Sequence, residues 1–92
     1  MINTANESSI ADVVNLLVYY GFEMIGYTVE EILEKWLINH QIILIRLAVL
    51  EALYQGRYKA ISVEQILNLW QRKGNVHYHF TQDFEKLICK DS

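Results

Sequence analysis

Proline is absent from all 92 residues, and only four glycines and one cysteine occur. With no proline, nothing forces a kink, and helices run until another signal stops them. The glycines, Gly21, Gly26, Gly56 and Gly74, all fall between periodic segments, where helix punctuation belongs. A lone Cys89 excludes a disulfide within these residues and fits a reducing compartment. Its expected place is a buried or half-buried position in the last helix. Charge is sparse as well: 21% of residues are charged and 52% hydrophobic. That balance excludes a disordered chain, apart from residues 1–7, which are expected to be disordered. The opening residues lack the charged-then-apolar layout of a signal peptide. No apolar run reaches the roughly 20 residues of a membrane span. A single cytoplasmic domain over 1–92, with no membrane contact, is the expectation.

The net charge of −3 is unevenly spread. Residues 1–56 hold seven acids and two bases, giving −5; residues 57–92 hold four acids and six bases, giving +2. Any contact with an anion would therefore use the second half. An excess of two is far from the basic balance of a dedicated DNA-binding domain.

What the chain has in quantity is apolar helix. From Gln41 to Gln55, eleven of fifteen residues are apolar or aromatic. Arg46 and Glu51, the polar residues inside it, fall roughly 140° apart on a helical wheel and share no solvent face. A helix apolar nearly all round needs neighbours on several sides. The stretch Ile42–Leu50, rich in β-branched residues, could suit a buried strand, but the pattern continues through Glu51-Ala52-Leu53, good helix formers, to Gly56 as a C′ glycine. The fold class read from these features is all-α: a compact bundle of about five helices around a central buried helix at 41–55. A short two-stranded element at 57–61 and 76–80 is an optional addition, because Val76, Tyr78 and Phe80 alternate with His77 and His79.

The remaining helices follow from caps and stripes. Ser8 or Ser9 caps the first, with Ile10, Val13, Val14, Leu17 and Tyr20 on its inner face. Thr28-Val29-Glu30-Glu31 and Ser62-Val63-Glu64-Gln65 read as capping boxes. Val29, Ile32, Leu33, Trp36 and Leu37 follow the first; Val63, Ile66, Leu67 and Trp70 follow the second. Thr81 caps the last helix. The two boxes, with their tryptophans, repeat at an offset of 34 residues, and Leu50-Glu51-Ala52-Leu53 recurs as Phe84-Glu85-Lys86-Leu87. The period is that of tetratricopeptide repeats, but that family's Leu-Gly and Tyr spacing is absent and two copies make no solenoid. A duplicated helical hairpin about a pseudo-two-fold axis fits the pattern; so does any pair of capped amphipathic helices carrying a tryptophan.

No nucleophile–base pair, phosphate-binding glycine loop or nucleotide fingerprint is present, so neither an enzyme nor a cofactor is expected. His77 and His79 have a spacing that some metal sites use, but a third ligand would have to come from His40, Cys89 or a carboxylate elsewhere, and no metal is expected. Trp36 and Trp70 sit on apolar stripes, as core residues do, rather than as stacking platforms for bases. Glu30, Glu31 and Glu34 read as a solvated helix face. A winged-helix or helix-turn-helix regulator would use Arg57, Lys59, Arg72, Lys73 and His77 for phosphate contacts. Against it, the Gly74–Phe80 connection exceeds the roughly 3–4 residues of a helix-turn-helix, and Asp83 and Glu85 would sit on the reading helix.

The stretch Glu51-Ala-Leu-Tyr-Gln-Gly-Arg-Tyr-Lys-Ala-Ile-Ser-Val-Glu-Gln-Ile-Leu, with Trp70, His79-Phe80 and Phe84-Glu85-x-Leu-Ile, resembles a segment of cyanobacterial proteins of uncertain function. The resemblance covers about residues 50 to 89. It implies a cyanobacterial, cytoplasmic and regulatory setting and carries over no functional residue. From the residues themselves, the expected function is a small non-enzymatic interaction module that forms a homodimer and docks a protein partner. The expected interface comprises Leu16, Val18, Tyr19, Phe22, Met24 and Arg46, because the first and central helices each have more than one apolar side.

Overall fold

The computed structural model describes residues 4 to 89, with side chains from Ser9 onward. Five helices follow in order: α1 Thr4–Tyr19, α2 Val29–Asn39, α3 Ile42–Tyr54, α4 Ala60–Lys73 and α5 Gln82–Ile88. This is the all-α class expected of a proline-free, helix-patterned chain. Of the seven residues expected to be disordered, 1–3 lie outside the described residues, while 4–7 form the opening of α1, so Ser8 and Ser9 are not its cap.

Local chemistry explains most of the boundaries. At α2, Thr28 Oγ1 accepts from the Glu31 N–H at 3.1 Å and the Thr28 N–H donates to Glu31 Oε1 at 2.9 Å, closing the capping box. The second box does not form. Ala60 already opens α4, because its N–H donates to Glu23 O at 2.8 Å, and Ser62 is buried inside the first turn. Gln65 accepts from Arg57 instead of reaching back to a cap.

The two-stranded element expected at 57–61 and 76–80 is also absent among the described residues. The first segment pairs elsewhere: Glu23 N–H donates to Tyr58 O at 3.0 Å, and Glu23 and Lys59 form one isolated parallel bridge. The second segment gives two of its backbone N–H groups to a side chain, described below.

α1 and α3 end alike. Phe22 N–H donates to Leu17 O and Gly21 N–H to Val18 O; Arg57 N–H donates to Ala52 O and Gly56 N–H to Leu53 O. Gly21 and Gly56 have φ of 66° and 75°, so both ends are Schellman motifs. Nothing lies within 4 Å of a Cβ built on Gly56, so the cost of a side chain there is purely conformational. Gly56→Ala is expected to destabilise by about 1–2 kcal/mol, lowering Tm by about 5–10 °C in a thermal melt followed by circular dichroism.

Eight residues of α3 are buried, Glu51 among them, and α3 packs on both α1 and α4. Ala48 and Ala52 are fully buried, small side chains that let helix backbones approach closely. One hydrophobic cluster joins Val13, Leu16 and Leu17 of α1, Ile32, Leu33 and Trp36 of α2, and Val63, Ile66, Leu67 and Trp70 of α4 to it. Leu37, assigned to the buried stripe of α2 by periodicity, is exposed.

Candidate functional site

A carboxylate inside an apolar helix must find donors or lose its charge. Glu51, 2% exposed on α3, finds four. Its Oε1 accepts from the His79 N–H at 2.7 Å and the Phe80 N–H at 3.2 Å. Oε2 accepts from Gln55 Nε2 at 2.8 Å and lies 2.7 Å from His79 Nδ1. A carboxylate only accepts, so Nδ1 carries the proton in that contact. Burial alone would raise the carboxyl's pKa. The His79 ring, the His79 N–H, Gln55 and the Phe80 N–H outweigh it and hold the group below its ordinary value of 4.5. Glu51 therefore stays charged and pins the segment before α5 onto α3.

Arg46 makes the complementary crossing. Its Nη1 donates to Glu85 Oε2 at 2.7 Å, its Nη2 lies 3.5 Å from Cys89 Sγ, and Nε is 3.7 Å from Asp12 Oδ2. One guanidinium thus ties α1, α3 and α5. Burial pulls the Arg46 pKa down, but Glu85, Cys89 and Asp12 more than offset it. Burial, reinforced by Glu85 and Asp12, raises the Cys89 pKa against the pull of Arg46, so the sulfur is held as a thiol rather than an activated thiolate.

The two crossings exchange under the 34-residue offset. Arg46 is shifted onto Phe80 and Glu51 onto Glu85; Arg46 binds Glu85, and Phe80 binds Glu51. The tryptophans are buried alike but partnered differently. Trp36 Nε1 donates to Glu64 Oε2 at 3.0 Å, beside Lys35 at 3.3 Å, whereas Trp70 Nε1 donates to His77 O at 2.8 Å.

The expected phosphate contacts do not gather. Arg57 and Lys59 precede α4, Arg72 and Lys73 occupy its last turn, and that 14-residue helix separates them by about 20 Å. Arg57 is hydrogen-bonded to Gln55 and Gln65. His77 is exposed and meets His79 edge to face at 4.9 Å. Among the described residues no group of three or more His, Cys, Asp and Glu side chains is placed to hold a metal ion.

The expected interface set divides. Leu16 and Phe22 are buried in the chain's own core and present nothing outward. Met24 is partly buried against that core, and Arg46 is occupied as described. Val18 and Tyr19, at 61% and 79% exposure, face out. A separate cavity of about 400 Å³ opens between the α2–α3 corner and the end of α4, with Asn39, His40, Gln41, Trp70, Gln71 and Asn75 in its wall. No carboxylate, ammonium or guanidinium lines it, so it suits an uncharged group.

No protein family, curated protein or solved structure matches this chain. The residue that sequence reasoning passed over was Glu51. Its signal was present: a lone acid in an apolar helix, out of register with Arg46, demands its own set of donors.

Proposed function

We propose that this chain is a small protein–protein interaction module, regulatory rather than catalytic, that pairs with a second copy of itself. The observation that carries the reading is the outer end of α1. Val18 and Tyr19 are large apolar side chains on a regular helix, left open while Leu16 and Leu17 beside them are buried. Exposed apolar and aromatic surface of this kind marks interaction sites. A catalytic role has less support, since Glu51 and Arg46 are fully engaged in holding elements together and Cys89 is an unactivated thiol. A duplex-binding role has less support because the basic side chains stand at opposite ends of α4. Among the described residues no single helix is long and apolar enough to cross a membrane. The lone cysteine favours a reducing, cytoplasmic setting, and an arrangement built around α3 provides a rigid support for the outer faces.

Sedimentation velocity at tens of micromolar is expected to show a dimer. Changing Val18 and Tyr19 together to lysine is expected to convert it to a monomer with an unchanged helical spectrum. A wild-type protein that stays strictly monomeric at that concentration defeats the reading.

A further inference from the structure

Beyond the end of α1 the chain makes a tight turn, Met24 to Tyr27, closed by the Tyr27 N–H donating to Met24 O at 3.2 Å. Both central residues have positive φ, 57° at Ile25 and 83° at Gly26. That pattern belongs to a type I′ turn, whose first central position suits Asn, Asp or Gly. Among the described residues Ile25 is the one non-glycine with positive φ. A β-branched side chain is the least suited to that conformation. Ile25 is also 52% exposed, so the same residue bears backbone strain and leaves its apolar surface uncovered. Strain of this kind persists where it serves a contact.

The surroundings are apolar and aromatic. Tyr58 is fastened beside the turn by the Glu23–Tyr58 backbone bond and by the Phe22 ring at 5.9 Å. Tyr27 and Tyr58 are exposed, and so are Val18 and Tyr19, which precede the Gly21 turn in the chain. We infer that this end of the molecule is the face on which the second copy sits, across a two-fold axis, with the Ile25 tip as its anchor. The inference rests on the self-association proposed above and names its surface.

Charge supports a second copy as the occupant. A two-fold brings like residues near one another, so the centre of such a face must carry no charge of one sign. The outer face of α1 among the described residues, Ala11, Asn15, Val18 and Tyr19, is uncharged, and so is the turn 24–27. The charges that border it are the exposed Glu23, Glu30, Glu31 and Lys59, which neighbour these residues in the chain, and Lys35, whose Nζ lies 5.4 Å from the centre of the Tyr27 ring at the edge of the face. The five side chains Val18, Tyr19, Ile25, Tyr27 and Tyr58 leave on the order of 500 Å² open, taking about 150–250 Å² for a whole large side chain. That is more than half of the roughly 800 Å² per partner of a stable dimer, and the outer face of α1 extends it.

Ile25→Asn separates this role from a merely structural one, because the two effects have opposite signs. Asparagine suits the turn, so the monomer's Tm, read at high dilution, is expected to rise by about 5 °C. The same change removes the anchor, so the dimer dissociation constant is expected to rise at least tenfold by sedimentation equilibrium. Ile25→Gly, with no side chain to misplace, must also weaken the dimer. Ile38→Asp, at the α2–α3 corner where Ile38 is 78% exposed, must leave it intact. Dimers that survive both Ile25 changes but dissociate with Ile38→Asp overturn the assigned face while self-association stands. A monomeric wild type removes both.

Discussion

Glu51→Ala is expected to destabilise the protein by about 3–5 kcal/mol, the range for removing one partner of a buried, hydrogen-bonded charge. The alanine leaves the Phe80 N–H buried without an acceptor and the His79 N–H part-buried in the same state. Each unsatisfied group costs about 1–3 kcal/mol. The His79 ring, 61% exposed on its side chain, and the Gln55 amide can turn to water, which limits the loss. At about 4–8 °C per kcal/mol for a domain of this size, Tm should fall by roughly 15–30 °C. Glu51→Gln keeps one acceptor oxygen and should lose about half as much. The carboxyl also sets the acid response. Its folded pKa lies below the ordinary 4.5, so between the two values the unfolded chain binds more protons than the folded one. The stabilisation is therefore fully present above about pH 4.5 and lost as pH falls through the folded value. Urea titrations from pH 7 downwards should show it, and Glu51→Gln should flatten the acid limb.

Arg46→Glu is expected to act more locally. The change removes the tie from α3 to Glu85 and Asp12 and sets three carboxylates around one point. Losing a partly buried pair and adding repulsion should together cost about 2–4 kcal/mol. The damage should concentrate in α5. That helix has seven residues and no buried one, so its hold on the body comes from Arg46, from the Tyr54–Phe84 ring contact at 5.2 Å, and from partly buried Phe84, Ile88 and Cys89. Segments with few buried contacts open at low free energy. Hydrogen exchange should show amides 82–89 losing protection first, with α3 and α4 retaining theirs. Uniform loss along the chain would mean that α5 is not a separately opening unit.

The helices were legible because their signals are local. Thr28 and Glu31 three positions on form a cap within one turn, and Gly21 and Gly56 mark ends through their own backbone preference. Where sequence reasoning departs from the structure, a distant residue has taken over a local group. Ser62 does not cap because the Ala60 N–H is already taken by Glu23, nearly forty positions earlier. The extended reading of 76–80 fails because Glu51 supplies the acceptor that a partner strand would have supplied. Arg46 was legible as a residue in need of a carboxylate, but that its partners are Glu85 and Asp12 depends on how α1 and α5 pack. The strain at Ile25 was not legible at all, since Ile-Gly is an unusual pair for the turn it makes.

The exchanged crossings at Arg46–Glu85 and Phe80–Glu51 carry a consequence about origin. When two identical hairpins associate face to face, any contact from position x to position y occurs a second time from y to x. Join the two hairpins end to end and both contacts persist, now at positions shifted by one repeat length. The chemistry of each can then drift separately, one to a guanidinium on a carboxylate, the other to backbone amides on a carboxylate. At these two contacts the exchange is what a doubled hairpin would leave behind, whereas the packing of α3 on α4 has no α2–α5 counterpart of similar extent among the described residues.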